Sequence, residues 1–548
     1  MNKKNLFYPL LILIFLIPVT WPLFKGGFFA AHDAVWHIAR FYQFHLSFSS
    51  GQIPVRWAPS LFYGLGYPAF IVNFHLPYYL MEAIYIFGVS LVNTYKIFLG
   101  LTFVASAIFS FLFLRSFFGY LPALAGTIFF VYSPYRFATV YTRGAIGEAL
   151  AIALVPLVFW SIKLLADNEK FGGPLLALAI FLLIISHPNI FLIFFPVIFF
   201  TLLFFTIRSK QNLVPPALWL CLGVFASAFQ TLPFFFERHF LIFDAVYKEV
   251  YLGHFVNLAS ALRLPLVNAD LGTPFQIGIF HWIIVIFALI LTVFDKGKLN
   301  QKRFLAGTTG LFFLIGLFLM SEWSVWFWKN FPLLPTILFP WRFLNLLVFS
   351  SSVAAAYVIS RFKNLLLGLL FIILAIFPSR HFWGWVGQIP TEASYYQNYE
   401  GTTTAGGEFT PWGISAEIER YKDPKIEIIS GEGKIISQKI SNNHWQFETM
   451  TRDNSVIKLA LLNFAGWNVK VDGLRKEIIG NYKTGDNNYS GLIVFKVPPG
   501  LHKINVTFGE TRLRFFSDII TALALFSIFA SLMLRSRLFW NKIGQCKK

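Results

Sequence analysis

Residues 26–80 read GGFFAAHDAVWHIARFYQFHLSFSSGQIPVRWAPSLFYGLGYPAFIVNFHLPYYL. They follow the first apolar run and gather His32, Asp33, His37, Arg40, His45, Arg56, Asn73 and His75 in an otherwise apolar chain. Ionisable side chains at or near membrane depth are costly, so they mark a site by default. Asp33 is the only carboxylate ahead of Glu82. It lies four residues before His37 and seven before Arg40, so on a helix all three share one face. An acid, an imidazole and a guanidinium facing the same way can bind an anion and move a proton. A plainer reading makes Asp33 the N-cap of a helix over 34–48, accepting hydrogen bonds from its free N–H groups. The two readings are compatible, because a capping Asp can still face a cavity.

Working outward, composition sets the class. Hydrophobic residues make up 56% of the chain and charged residues 13%, against about 25% charged in soluble domains. This is the balance of a polytopic membrane protein. Its 67 Phe, 16 Trp and 21 Tyr suit a lipid-facing surface with interfacial belts. The formal net charge of +19 is read as inner-face anchors and contacts to anionic lipid heads. Nucleic-acid binding is not expected, since no basic stretch outside the apolar segments is interleaved with aromatics. Two cysteines, Cys221 and Cys546, cannot form a disulfide framework or a CxxC metal site.

About twelve spans are expected, over 6–24, 94–114, 121–131, 150–165, 174–186, 191–207, 213–232, 277–294, 304–320, 341–360, 365–377 and 516–534. The first is read as an uncleaved anchor. Lys and Arg fall on one side at nearly every loop, which places both termini in the cytoplasm and residues 26–80 outside, in a cell (plasma) membrane. Residues 74–88, interrupted by Pro77 and Glu82, read as a juxtamembrane or re-entrant helix, and 135–148 as an outer loop.

Between 379 and 513 the character changes. Short alternating runs at 425–430, 433–440, 444–450, 455–462, 467–471, 491–497 and 501–508 are separated by turns such as Asp472-Gly473 and Pro498-Pro499-Gly500. They predict a β-sandwich outside the membrane. The chain thus divides into a helical core (1–378), this β domain (379–513) and a last span with a basic tail (514–548). Trp412, Trp445 and Trp467 could stack on sugar rings or simply fill the β core.

Several pieces carry a family resemblance. They are His32-Asp33-Ala34-Val35-Trp36-His37, Gly64-Leu65-Gly66-Tyr67-Pro68, Arg143-Gly144-Ala145-Ile146-Gly147-Glu148, Ser186-His187-Pro188-Asn189 and Phe339-Pro340-Trp341-Arg342-Phe343-Leu344. The β region adds 465–473 (AGWNVKVDG) and 497–502 (VPPGLH). In order and spacing these resemble the GT-C superfamily of membrane glycosyltransferases. Within it they resemble the bacterial membrane family labelled 6-pyruvoyl-tetrahydropterin synthase-related. Nothing in the sequence points to pterin chemistry, which would need a zinc-binding histidine set in a soluble fold.

The resemblance implies a polyprenyl-phosphate-linked sugar as donor, a cell-envelope glycan or lipid as acceptor, and catalysis on the outer face by an acidic residue of the first outer loop. Asp33 matches that position. Many members of that superfamily carry a second acidic residue directly beside the first; here His32 and Ala34 flank Asp33, so the divalent cation (Mg or Mn) that the resemblance allows as a cofactor is left without assigned ligands. Arg143 and Arg342 are the candidates for the donor phosphate, with Arg56 and Arg40 as alternatives, because guanidinium forks match phosphate oxygens. His32, His37, His75, Glu148 and His187 are candidates to line the cavity. Against these stand an Arg143–Glu148 structural ion pair, a helix-end role for His187, and capping of the 74–88 helix by Asn73 and His75. A transporter or flippase and a non-catalytic scaffold that binds envelope polymers are the competing classes. A peptidase is excluded by the lack of a nucleophile elbow or HExxH.

Overall fold

The computed structural model describes residues 3–262, 275–383 and 387–545. Long apolar runs become helices because a backbone in lipid must satisfy its hydrogen bonds within its own segment. Among the described residues, seven helices are long and apolar enough to cross a membrane. Four of them, α1 (Lys3–Phe24), α2 (Leu91–Phe118), α3 (Ile146–Ala166) and α4 (Pro188–Arg208), lie in the first half of the chain. The others are α5 (Gln301–Met320), α6 (Leu344–Phe362) with its 3-10 lead-in Pro340–Phe343, and α7 (Arg512–Gln545). Shorter apolar helices cover Tyr120–Val131, Gly172–Ser186, Ile279–Phe294 and Leu365–Ser379. The expected apolar segments are therefore all helical, but only seven reach spanning length unaided.

The expected continuous span over 213–232 is instead a bent pair, Val214–Ala226 and Ala228–Phe240, meeting at 64°. Such a break frees backbone groups, which need new partners. The Phe229 N–H donates to Thr521 Oγ1 at 2.9 Å, and Arg56 Nη1 donates to the Phe229 carbonyl at 2.6 Å. Residues 74–88 do form a short helix, Leu76–Tyr85, with Pro77, Tyr78, Met81 and Glu82 buried. The loop expected over 135–148 is replaced by a helical turn, Pro134–Phe137, and a π-helical turn, Ala138–Thr142, both buried almost throughout.

The C-terminal region folds as two antiparallel sheets. In chain order the strands are β1 (Ile426–Ser430), β2 (Gly433–Ile440), β3 (His444–Thr451), β4 (Ser455–Leu462), β5 (Trp467–Val471) and β6 (Leu474–Lys476), then the short pair β7 (Lys483–Thr484) and β8 (Asn487–Asn488), then β9 (Leu492–Val497) and β10 (Gly500–Phe508). One sheet runs β1-β4-β9 and the other β2-β3-β10-β5-β6. Val506 of β10 faces Trp445 on one side and Val469 on the other. Alternation buries Trp445, Phe447, Val469, Ile504 and Val506 in a core shared with Ile457, Leu459, Ile493 and Phe495.

This β region docks on the first loop. Leu462 N–H donates to the Leu65 carbonyl at 3.0 Å, and Lys425 Nζ donates to the Gly64 carbonyl at 3.0 Å. Trp57 packs edge-on against Trp467 at 5.5 Å and also against Phe508. Trp467 and Trp445 are thus core residues, whereas Trp412 is 58% exposed.

Candidate active site

Asp33 is the N-cap residue of a helix over Ala34–Ser49, yet its side chain makes no capping hydrogen bond. Its position is fixed by main chain instead. His32 N–H donates to the Thr142 carbonyl at 3.0 Å, and Asp33 N–H to the Arg143 carbonyl at 2.9 Å. The π-turn leaves those two carbonyls free, and such turns recur at functional sites. Gly144 follows at φ +66; a Cβ there would lie 2.4 Å from Tyr95 Oη, so the close approach of the two segments requires glycine. Among the described residues the Asp33 carboxylate has no hydrogen-bond or ion-pair partner. Burial raises its pKa above the ordinary carboxylate range, while the charges of Arg143, His32, Arg40 and Arg342 oppose that rise.

Glu148 is the opposite case. It lies in the first turn of α3, where the helix dipole favours a negative charge. Its carboxylate accepts from Arg143 Nη1 at 2.6 Å, Tyr135 Oη at 2.6 Å and Asn345 Nδ2 at 2.7 Å. Arg342 Nε stands 4.0 Å away. Glu148 therefore sets the two arginines side by side, near Asp33, without being free to react itself. Arg143 also lies over the Trp341 ring at 5.9 Å.

Around this pair sits a ring of buried polar atoms without partners: Arg342 Nε, Trp341 Nε1, His187 Nδ1 and Asn73 Nδ2. All four residues are more than nine-tenths buried. A buried donor left unmade costs about 1–3 kcal/mol, so the three N–H donors among them, Arg342 Nε, Trp341 Nε1 and Asn73 Nδ2, indicate a place built for a ligand that accepts hydrogen bonds. His187 stacks on Phe74 at 5.9 Å, and burial together with Arg342 drives its pKa down to about 3, so the ring is neutral. His37 Nδ1 is 3.2 Å from Tyr78 Oη, and the same hydroxyl accepts from Arg40 Nη1 at 3.2 Å.

The structure brings Asp33, His32, His37, Arg40, Arg143, Glu148, His187 and Arg342 into one electrostatic neighbourhood. Arg40 is already engaged: its Nη2 donates to the Thr403 carbonyl at 2.5 Å and its guanidinium lies over Phe409. It joins the site to the segment that leads into the β region. Arg56 and His75 are placed elsewhere. Arg56 is wholly buried and pairs with Asp518 at 2.7 Å and Glu510 at 3.4 Å. His75 places its two ring nitrogens 3.0 Å from the Gln230 side-chain amide and from the Val55 carbonyl, and burial lowers its pKa to about 4.

Sequence reasoning missed Tyr135, Asn345, Tyr78 and Thr403. Arg342 and Asn345 at i, i+3, opening an apolar helix, were a readable signal; Thr403 gave none, because only folding brings it to Arg40. Among the described residues no group of three or more His, Cys, Asp or Glu could hold a metal ion. A cleft of about 710 Å³ lies apart from Asp33, between Trp412, Asn463, Asn468, Arg475 and Arg512.

Residues 72–385 match the family described as the 6-pyruvoyl-tetrahydropterin synthase related domain, a membrane protein, and the chain belongs to that family. The match takes in Arg143, Glu148, His187 and Arg342 and begins after Asp33. An uncharacterised protein of Lactococcus lactis subsp. cremoris is 25% identical over 178 residues, which is 31% of this chain and 29% of that protein. Three solved structures are similar. The mycobacterial arabinofuranosyltransferase AftD has 14% identity and TM-score 0.40, over 68% of this chain and 26% of that one. The Archaeoglobus fulgidus oligosaccharyltransferase has 14% identity and TM-score 0.38, over 71% and 53%. ArnT of Cupriavidus metallidurans, bound to undecaprenyl phosphate, has 10% identity and TM-score 0.32, over 65% and 78%. The chain thus spans under a third of the Lactococcus protein and about a quarter of AftD.

Proposed function

We propose that this chain is a membrane glycosyltransferase of GT-C type that transfers a sugar from a polyprenyl-phosphate donor to a cell-envelope acceptor, on the outer face of the plasma membrane. One observation carries the reading: a partnerless carboxylate, Asp33, is held by main-chain bonds beside two guanidiniums that a single glutamate aligns. The donor phosphate sits against Arg143 and Arg342, with the unpartnered Arg342 Nε, Trp341 Nε1 and Asn73 Nδ2 as donors to its oxygens. The acceptor hydroxyl attacks the sugar C1 from the face opposite the phosphate. Its oxygen forms the new bond to C1, its proton passes to Asp33, and the C1–O bond to phosphate breaks, leaving polyprenyl phosphate with the electron pair. This single displacement inverts the anomeric centre. A general base contributes about 10² to 10⁴ in rate, and the arginines stabilise the developing phosphate charge. Glu148 is a positioning residue. No step is assigned to a divalent cation, because the donor set around Asp33 does not make a three-ligand site. A scaffold has no need of a partnerless, half-buried carboxylate beside two aligned cations.

The test is transfer by purified protein in lipid, offered a panel of polyprenyl-phosphate sugars, wild type against Asp33→Asn. Turnover of one donor that falls by at least about 10² in the variant, with donor binding kept, supports the reading. Full turnover in the variant removes Asp33 as the base. Absence of both turnover and donor binding in the wild type overturns the glycosyltransferase reading.

A further inference from the structure

A second polar pocket lies at the other end of the helix bundle. Arg342 opens the α6 segment and Arg361 lies near its end. His187 precedes α4 and Arg208 ends it. At 1.5 Å per residue both paths run about 30 Å, the thickness of a bilayer hydrocarbon core. At that far end four helix termini converge on a pocket of about 510 Å³, lined by Arg208, Asp295, Asn300, Lys302, Tyr357 and Arg361 among others.

Its charge balance favours an anion. Asp295 is matched by Arg361 at 3.3 Å. Arg208 and Lys302, both exposed, have no ion-pair partner among the described residues. Two positive charges are left over. The second observation is independent of charge: Tyr357 is 2% exposed, lines the pocket, and its hydroxyl has no hydrogen-bond partner. Arg303 is not available, since it is spent on the Thr292 and Gly297 carbonyls. The protein has thus placed two unspent cations and one unspent hydroxyl where helices leave the apolar layer.

We propose that this pocket binds the phosphate headgroup of an anionic membrane lipid, in the leaflet opposite the candidate active site. Arg208 and Lys302 supply charge to the phosphate, and the Tyr357 hydroxyl donates to one of its oxygens. A lipid fits better than a soluble phosphate because the pocket opens at the ends of lipid-facing helices: Ile207 on α4 and Val293 and Phe294 on the helix Ile279–Phe294 are all exposed beside it. Basic pockets between helix ends are a recurrent way to hold such headgroups. The site is independent of the transfer reaction, so the two readings fail separately.

Full-length protein in detergent is titrated with fluorescent phosphatidylglycerol, with phosphatidylcholine and inorganic phosphate as parallel probes. Saturable phosphatidylglycerol binding is expected to weaken about tenfold or more in Arg208→Gln/Lys302→Gln and several-fold in Tyr357→Phe. Lys298→Gln, a nearby lysine that does not line the pocket, leaves it unchanged. Tyr357→Phe removes a hydroxyl that bonds nothing in the protein, so it tests the site even where the double variant does not fold. Equal binding of phosphatidylcholine, or equal loss in Lys298→Gln, overturns the proposal. Binding of inorganic phosphate alone, with the same residue dependence and lower Kd, reassigns the site to a soluble anion and overturns the lipid.

Discussion

Two charge clusters in the molecule differ in what they leave unspent. In the first, Arg56 donates from all three guanidinium nitrogens, to Asp518, Glu510 and the Phe229 carbonyl. Arg514 pairs with Glu237 at 2.8 Å and donates to the Ala465 carbonyl. Every carboxylate there has a partner, one donor, Arg514 Nη1, is left over, and the contacts join the first loop, the bent helix pair, the β region and α7. In the second cluster Glu148 serves two arginines while Asp33 serves none, and four surrounding polar atoms are idle. The lesson is that a buried charge does not by itself mark a site. A cluster closed on itself fastens segments together; one with a free carboxylate and free donors waits for a ligand.

That contrast can be broken experimentally. The largest effect expected is on stability. Arg56→Ala strands Asp518 and Glu510, and losing one partner of a buried pair costs about 3–5 kcal/mol. Thermal unfolding in detergent should show the loss, with kcat of the folded fraction unchanged. A large fall in kcat at unchanged Tm would move Arg56 into the site. Next in size, Arg342→Ala should cost about 10² to 10³ in kcat, the range for removing one donor to a developing oxyanion. Here Tm should fall less than in Arg56→Ala, since Arg342 gives up one hydrogen bond, from Nη1 to the Ile337 carbonyl at 2.5 Å, and its Nε stands 4.0 Å from Glu148 without a hydrogen bond; an equal or larger fall in Tm would make the second cluster a fastening too.

The pH profile sharpens the contrast further. Asp33 works deprotonated, and its pKa is raised, so kcat/KM should fall as pH drops through a value above the ordinary carboxylate range. Arg143 opposes the rise. Arg143→Gln should therefore shift the acid limb to higher pH, whereas Arg56→Ala should leave it in place. An unmoved limb in Arg143→Gln would detach Asp33 from the rate. The smallest effect is Tyr135→Phe, which removes one of three hydrogen-bond donors to the ionised Glu148 and should cost about 1.5–3 kcal/mol. Donor KM should rise more than kcat falls, because the arginines lose alignment and not charge.

The trace of these clusters in the sequence was uneven. Arg143-Gly144-Ala145-Ile146-Gly147-Glu148 could be read directly, because an arginine and a glutamate five residues apart at the mouth of an apolar run have few other uses. Arg56 stood in the sequence as an alternative phosphate binder, and its carboxylate partners lie more than 450 positions away. No local pattern announces that pairing. For Trp467 the sequence left sugar stacking open beside the commoner core role, and Trp57 and Phe508 packed against it make it core.

What the sequence determined by itself was everything that depends on local period and polarity. The apolar helices, the alternating strands from Ile426 to Phe508, and the placing of Asp33 at the head of its helix follow from backbone satisfaction and side-chain burial along a few residues. The tertiary structure alone decided which charges are spent. It bent the 213–232 segment so that Arg56 could cap the break, and it wound 138–142 into a π-turn that holds Asp33 by its main chain. Whether a carboxylate is a fastening or a base depends on what folding brings within about 3 Å of it, and that distance is set by segments far apart in the chain.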